Sequence, residues 1–447
     1  MVSREPVRRD DPDPTTDRDA PAGESANPVA DYQAEAAVNL RNQRLRRPET
    51  ATGPADSEAD SDDAALTPDP YGVGQDALAA IDAPDVDPET LYRAKMFDRH
   101  EEDLTVDPAT WGLRGRLNAA FGAHMRPKHV SAEVRFRQSV RTVQQPLPGC
   151  SVVSVMNPKG GSGKTITSIM LGATFGKHRG HGVAVFDASE SSGSLGDRAA
   201  RTTDPELTVW DLLAHAGELA SSSAVSGSLN AFLRRQPTME DILASDNSTI
   251  QSRSIGWDEC AAVMAVLRRH RDLIILDTAT NPLAENWQWA IEHSDVLVVP
   301  LPLRMDIAKQ VFLMLDGIAA RGKQHLLAST VIVTCMTPDS SPELSQMIYD
   351  DLRALGVPEG NFVEAPYDAA LARGDRIVYK DLPASTVEAY TNVTALVADT
   401  LGAARRAAAF EYSDSFAPEP VYRHPPEQQN LSQLSHFDSR RDRRRGA

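Results

Sequence analysis

Short apolar runs recur through the middle of the chain, each closed by a polar or acidic residue and followed by a segment of different period. Ser151–Val155 (SVVSV), Gly182–Phe186 (GVAVF), Leu273–Leu276 (LIIL), Val296–Val299 (VLVV) and Thr330–Thr334 (TVIVT) are too short for helices and rich in β-branched residues, so they predict buried strands. Between them the apolar residues return every three or four positions. Ile169, Leu171 and Phe175 predict one helix, and Ile307–Ala320 predicts another. Ser385–Ala409 predicts a long last one, with Val387, Tyr390, Val393, Leu396, Val397 and Leu401 on its inner stripe. Strands alternating with helices predict an α/β fold, a doubly wound and mostly parallel sheet covered on both faces. Val209–Leu213 reads as a further packed helix, with Trp210 in the core, and the serine-rich stretch 221–228 as a surface loop.

The flanks lack this pattern. Residues 1–110 are rich in Asp, Pro, Ala, Ser and Thr and poor in aromatics, a composition that does not bury enough apolar area to offset ordering entropy. A disordered acidic tail is expected there, with Leu91–Phe97 able to form a short helix on a partner. Residues 51–110 carry 16 acids against Arg93, Lys95 and Arg99, and act either as a solubilising tail or as an electrostatic lid over basic surface. Residues 111–145 reverse the sign, with seven Lys/Arg against Glu133. Leu113, Leu117 and Phe121 fall on one helical face beside Arg114, Arg116, Arg126 and Lys128, although Gly112, Gly115 and Gly122 each weaken a helix by about 1 kcal/mol. This is either a basic amphipathic segment for a membrane or partner, or a helix packed on the core domain. Residues 146–409 form the expected domain. Residues 410–447 form a second disordered tail ending in an arginine run, which binds phosphates without sequence preference or stays in solvent.

The strongest chemistry lies directly after the first strand. Lys159-Gly160-Gly161-Ser162-Gly163-Lys164-Thr165 stands between a strand and a helix, the context a phosphate-binding loop requires. Its glycines let backbone N–H groups close around phosphates at the positive end of the helix. Lys164 is placed for the β- and γ-phosphates of ATP, and the Thr165 hydroxyl for Mg²⁺. Leu273–Leu276 ends in Asp277, an acid at the carboxyl end of a buried strand and a second Mg²⁺ candidate. Gly182–Phe186 ends in Asp187, with Ser189 and Glu190 following.

These residues resemble the ParA/MinD family of P-loop ATPases, whose loop reads KGGxGKT; the similarity extends over about 150–402. The resemblance implies that Lys159 acts across a dimer interface, so that ATP holds two copies together as a homodimer. It implies that Asp187 holds Mg²⁺ and, with Glu190, orients water; that Thr278–Glu285, including Asn281, is a mobile switch; and that Pro366 and Tyr367 flank adenine. Two positions depart from the family: Ile166 replaces a hydroxyl residue, and Ser189 replaces the second acid after strand two. Both count against robust hydrolysis. The segment ahead of the loop also resembles actinobacterial relatives linked to type VII secretion or conjugation.

The expected function is therefore a slow, partner-stimulated ATPase that positions or segregates DNA or a macromolecular apparatus. Arg268, Arg269, Arg271, Arg373 and Arg376 are its candidate nonspecific DNA contacts. The alternative is a weakly hydrolysing, nucleotide-gated adaptor for a membrane secretion or conjugation machine. Cys150, Cys260 and Cys335 are isolated, which excludes paired cluster ligands and fits buried thiols in a reducing cytoplasm. A tyrosine kinase with this loop type would carry a C-terminal tyrosine cluster, whereas only Tyr412 and Tyr422 occur here. No apolar run approaches a membrane span, so a cytoplasmic protein with at most peripheral membrane contact is expected.

Overall fold

The computed structural model describes residues 69–82, 103–147, 149–190, 193–201, 207–247, 253–337 and 340–415. Expectations for Leu91–Phe97, for residues 1–68 and for the arginine run of the C-terminal tail fall outside them.

An eight-stranded sheet forms the centre, in the order β3-β4-β2-β5-β1-β6-β7-β8. Its strands are β1 (Ser151–Val155), β2 (Val183–Ala188), β3 (Arg234–Arg235), β4 (Asp241–Leu243), β5 (Leu273–Thr278), β6 (Val296–Pro302), β7 (Thr330–Cys335) and β8 (Phe362–Glu364). Every pairing is parallel except β3 with β4. Helices of eight residues or more are numbered here as α1 (Gln75–Asp82), α2 (Gly112–Phe121), α3 (Ala132–Gln144), α4 (Lys164–Arg179), α5 (Trp257–His270), α6 (Glu285–His293), α7 (Met305–Ala320), α8 (Pro342–Leu355) and α9 (Ala384–Ser415). Strands β1, β2 and β5 are buried along their whole length, as a sheet covered on both faces requires. One core lies beneath α5, α6 and α7; the other, beneath α4 and α9, holds Phe175, Tyr390, Val393, Val397 and Leu401.

Part of the acidic flank is structured. Within it, α1 packs on α5, burying Val73 and Ile81, and the Tyr71 hydroxyl donates to Glu259. Segment 111–145 divides. Helix α3 packs on α9 and α4, whereas α2 leaves Leu113 and Phe121 in solvent. The hairpin of β3 and β4 has no counterpart among the expected strands. It turns at Met239, whose φ of 83° is left-handed.

Helix α4 lies close against β2 because Gly172 has no side chain. A Cβ there would stand 2.4 Å from Val185 Cγ2. Gly172→Ala is expected to force the helix off the sheet and cost about 1–3 kcal/mol, measured as a fall in Tm. No loss of stability would show that the helix shifts freely.

Glu240 is 2 % exposed, and its Oε2 has no hydrogen-bond partner among the described residues. Burial pushes its carboxyl up to about 7. The unfolded chain then holds fewer protons than the native state between about pH 4.5 and 7, so stability falls as pH rises through that window. Glu240→Gln is expected to raise stability at pH 8 by up to about 3 kcal/mol and to change little at pH 4. Denaturant titrations at the two pH values check this, and equal effects at both would refute it.

Candidate nucleotide site

The direction of winding reverses beside β1. From β1 the chain goes to β2 on one side, and after β5 it crosses to β6 on the other, so a crevice opens at the carboxyl ends of these strands. A cleft of about 760 Å³ occupies it.

Asn157 anchors the phosphate-binding loop. Its side chain is fully buried, donates to the Pro300 carbonyl at 2.8 Å and accepts from the Lys159 N–H at 2.8 Å. Gly161 and Gly163 then take left-handed φ values of 73° and 95°, which an L side chain resists. Gly163 caps α4 without a side-chain acceptor. The first N–H groups of α4 are thus left for a ligand, and the helix end is a ready anion site. Gly160 through Thr165 all line the cleft.

Lys164 donates to the carbonyls of Asn157 at 3.0 Å and Lys159 at 3.4 Å. Burial lowers its pKa to about 8, with Asp277 acting in the opposite direction. Lys159 leans along its own chain instead. Its Nζ is 3.7 Å from Asp306, which also accepts from Arg304.

Asp187 and Asp277 are register partners at the ends of β2 and β5. Both are buried, and burial raises both pKa values; for Asp277 the charge of Asp187 adds to the rise. Asp277, a desolvated carboxylate on the same cleft wall as the Thr165 hydroxyl, makes with it a hard-oxygen donor pair that fits Mg²⁺. Asp277 accepts from Ser168 at 2.9 Å, and Thr165 shares a hydrogen bond of 2.8 Å with Ser194. Thr165 and Asp277 line the cleft and would hold the cation there.

Lys159, Asp187, Glu190 and Asn281 do not line the cleft. The Asp187 carboxylate accepts from Ser245 at 3.0 Å and from the Ser189 and Leu195 N–H groups at 3.3 Å. Gly193 lies so close that a Cβ there would be 2.0 Å from its oxygens. Glu190 is not among the lining residues and has a buried oxygen that no described residue satisfies, while Ser189 lines the cleft. Pro366 and Tyr367 line the opposite side, Tyr367 69 % exposed. Asn281 accepts from the Leu283 N–H in the loop before α6.

Sequence reasoning passed over Ser194, Arg198, Arg304 and Tyr390, all on the cleft wall. Arg198 donates to the carbonyls of Leu371 and Asp375, tying the segment after β2 to the loop after β8. A signal for Ser194 and Arg198 existed in the serine- and glycine-rich stretch 189–196, which directly follows a strand end and runs up to Arg198.

The five candidate DNA arginines do not share a surface. Arg268, Arg269 and Arg271 lie just before β5, at the amino ends of the strands, whereas Arg373 and Arg376 follow β8 at the carboxyl ends. Arg271 is buried, with its guanidinium 2.8 Å from Asp241, so it has no part in a surface contact.

A glycine loop between strand and helix at a sheet switch point, with a strand-end acid beside it, defines a P-loop nucleotide-binding domain. Residues 153–375 match the family described as the CobQ/CobB/MinD/ParA nucleotide binding domain. The chain belongs to the ParA/MinD family, whose members are nucleotide-binding ATPases. A curated relative, the ESX-1 secretion-associated protein EspI of Mycobacterium tuberculosis, is 25 % identical over 233 residues, which is 51 % of this chain and 33 % of the relative. The chain therefore spans about a third of that relative's length. Similar solved structures include a ParA family ATPase from Chlorobium tepidum, with 15 % identity, 55 % and 98 % of the two chains covered and a TM-score of 0.46. Another is the cell division ATPase MinD of Pyrococcus furiosus, with 16 % identity, 56 % and 98 % covered and a TM-score of 0.40.

Proposed function

We propose that this chain binds ATP with Mg²⁺ in the cleft at Gly160–Thr165, dimerises on doing so, and works as a slow, partner-stimulated ATPase that positions or segregates DNA or a macromolecular apparatus. The observation that carries the reading is the empty-handed amino end of α4. Its first N–H groups, Lys164 and Thr165 converge on one cleft, which suits a polyphosphate with its cation. Catalysis in such a site is positioning and charge neutralisation. Lys164 neutralises charge on the transferring phosphoryl group, Thr165 and Asp277 hold Mg²⁺, and Lys159 adds a cation from the neighbouring copy. For Asp187 to join the cation, the segment at Gly193 must first move off its carboxylate.

That buried state of Asp187, with Ile166 after Thr165, favours a second reading. In it the protein is a nucleotide-gated adaptor with little turnover, in a secretion-associated role like that named for the mycobacterial relative. Among the described residues no helix is long and apolar enough to cross a membrane, so such an adaptor would act at the membrane through a partner or a surface segment. Light scattering with no nucleotide, ADP and ATP, alongside phosphate release with and without DNA, tests both readings. An ATP dimer with DNA-stimulated release supports the first, and an ATP dimer without release supports the second. A monomer under all conditions refutes both.

A further inference from the structure

Helix α2 is mounted the wrong way round for a helix of a soluble domain. The side it turns to the protein is small and polar. Gly115 lies against the Thr110 backbone, where a Cβ would stand 2.2 Å from the carbonyl carbon. Asn118 donates to the carbonyls of Ala109 and Met125 at 2.9 and 2.8 Å and accepts from the Met125 N–H. The outward side carries Leu113, 73 % exposed, and Phe121, 79 % exposed, with Leu117 half-buried between them. Trp111 lies at its base against Phe136, with ring centroids 5.2 Å apart, and Val130 stands 87 % exposed in the turn after it.

This orientation is built in. Buried Glu133 of α3 accepts from the Thr110 N–H, the Thr110 hydroxyl and the Trp111 N–H, fixing the start of α2. Arg137, paired with Glu133 at 2.8 Å, donates to the carbonyls of Leu104, Asp107 and Pro108. Gly112 and Gly122 bound the helix at left-handed φ values of 64° and 62°. The three glycines thus allow a tight mount and sharp ends. A polar clasp of this kind holds the apolar ridge outward when hydrophobic burial alone would turn it in.

Charge selects what the ridge meets. Residues 111–130 contain Arg114, Arg116, Arg126 and Lys128 and no Asp or Glu, and all four cations are exposed. Arg114 and Arg116 flank the apolar stripe on its two sides, at 100° per residue of helix. Asp103 sits close enough to Arg126 and His129 to feel their charge and offsets part of it. An apolar face bordered by arginine, with a tryptophan at one end, matches the boundary between anionic headgroups and acyl chains.

We propose that α2 is a docking helix for an anionic lipid surface, with Leu113, Leu117 and Phe121 entering the acyl boundary and Arg114, Arg116, Arg126 and Lys128 meeting lipid phosphates. At ten residues the helix is short, so apolar insertion and charge are both needed. The binding is therefore lost in high salt as well as on polar substitution of the ridge. Nucleotide does not enter the proposal, so it stands or falls separately from the ATP site.

The test is sedimentation of the full chain with vesicles of phosphatidylglycerol and phosphatidylethanolamine, against vesicles of phosphatidylcholine, each without nucleotide and with Mg-ATP. Wild type is expected to pellet with the anionic vesicles alone and to be released by salt. Phe121→Asp and Leu113→Asp each lower the bound fraction on the order of tenfold, with Tm unchanged because both side chains are already in water. Arg116→Glu with Lys128→Glu does the same. Wild type left in the supernatant under every condition overturns the proposal, as does a Phe121→Asp protein that pellets like wild type. A wild-type chain that self-associates without lipid, where Phe121→Asp does not, overturns it in favour of a second copy of the chain as the occupant.

Discussion

Lys164→Ala is expected to lose at least roughly a hundredfold in ATP affinity while keeping its fold, the cost of removing one partner of a buried, charged hydrogen-bonded contact being about 3–5 kcal/mol. The lysine is partly buried, and its ammonium donates to the carbonyls of Asn157 and Lys159. Both are weak substitutes for a triphosphate. A second signature follows from its pKa of about 8. Below that value the free protein already carries the charge, and affinity is flat. Above it, binding must first take up a proton, so affinity falls by about tenfold per pH unit until the bound-state pKa is passed. Calorimetric titration of wild type across pH 7 to about 9.5 should show this fall, and Lys164→Ala should show none from this source. If Lys164→Ala bound ATP within a few-fold of wild type, the loop would not be the phosphate site.

Much of the architecture was legible because its strands are of one kind. Strands β1, β5, β6 and β7 are short segments dominated by Val, Ile and Leu that end abruptly, and burial on both faces removes the alternation that would blur them. Elements that depend on distant partners were not legible. The two residues of β3 and three of β4 become strands because Asp241, between Arg235 and Arg271, closes an ion-pair cluster beside β2. No local window contains that cluster. For the same reason Arg271 reads as a surface cation in sequence and is a buried one in the fold. Helix α1 was hidden by its surroundings. Tyr71, Val73, Ala77, Leu78 and Ile81 form a small apolar set within a tract whose average composition is that of a disordered tail.

The site divides along similar lines. Spacing singled out the loop and Asp277, both of which line the cleft, since a strand end meeting a helix start is visible in the local pattern. It located Asp187 too, but not its surroundings. Whether a strand-end acid faces ligand or protein is decided by the backbone that crosses it, here at Gly193 and Ser194, with Ser245 arriving from beyond β4. Glu190 shows the limit of reasoning by nearness in sequence: one residue past Ser189, it does not line the cleft. The glycines at 112, 115 and 122 mislead in another way. Their propensity cost is real, yet two set the helix ends and the third allows a contact no other residue fits.

Lys159→Ala is expected to bind ATP within about threefold of wild type yet remain a monomer, because its lysine holds nothing in its own subunit that matters. Its one ion partner among the described residues, Asp306, is 3.7 Å away, and both side chains are about half exposed. Such a pair contributes about 0–1 kcal/mol, so the ammonium is released cheaply when a stronger anion arrives. Across the dimer implied by the family resemblance, that anion is the neighbouring copy's triphosphate. Two symmetric contacts, each worth about 1.5–3 kcal/mol as charged hydrogen bonds, disappear in Lys159→Ala, weakening the dimer by at least roughly a hundredfold. Any hydrolysis that relies on this cation in trans falls by about 10³ or more. Asp306→Asn is the opposing variant: it frees the lysine and leaves the loop intact, so it should dimerise at no higher ATP concentration than wild type. Light scattering of the three proteins with a nonhydrolysable ATP analogue decides the matter. A Lys159→Ala dimer as tight as wild type would mean that the lysine serves its own subunit, and that ATP does not bridge two copies through it.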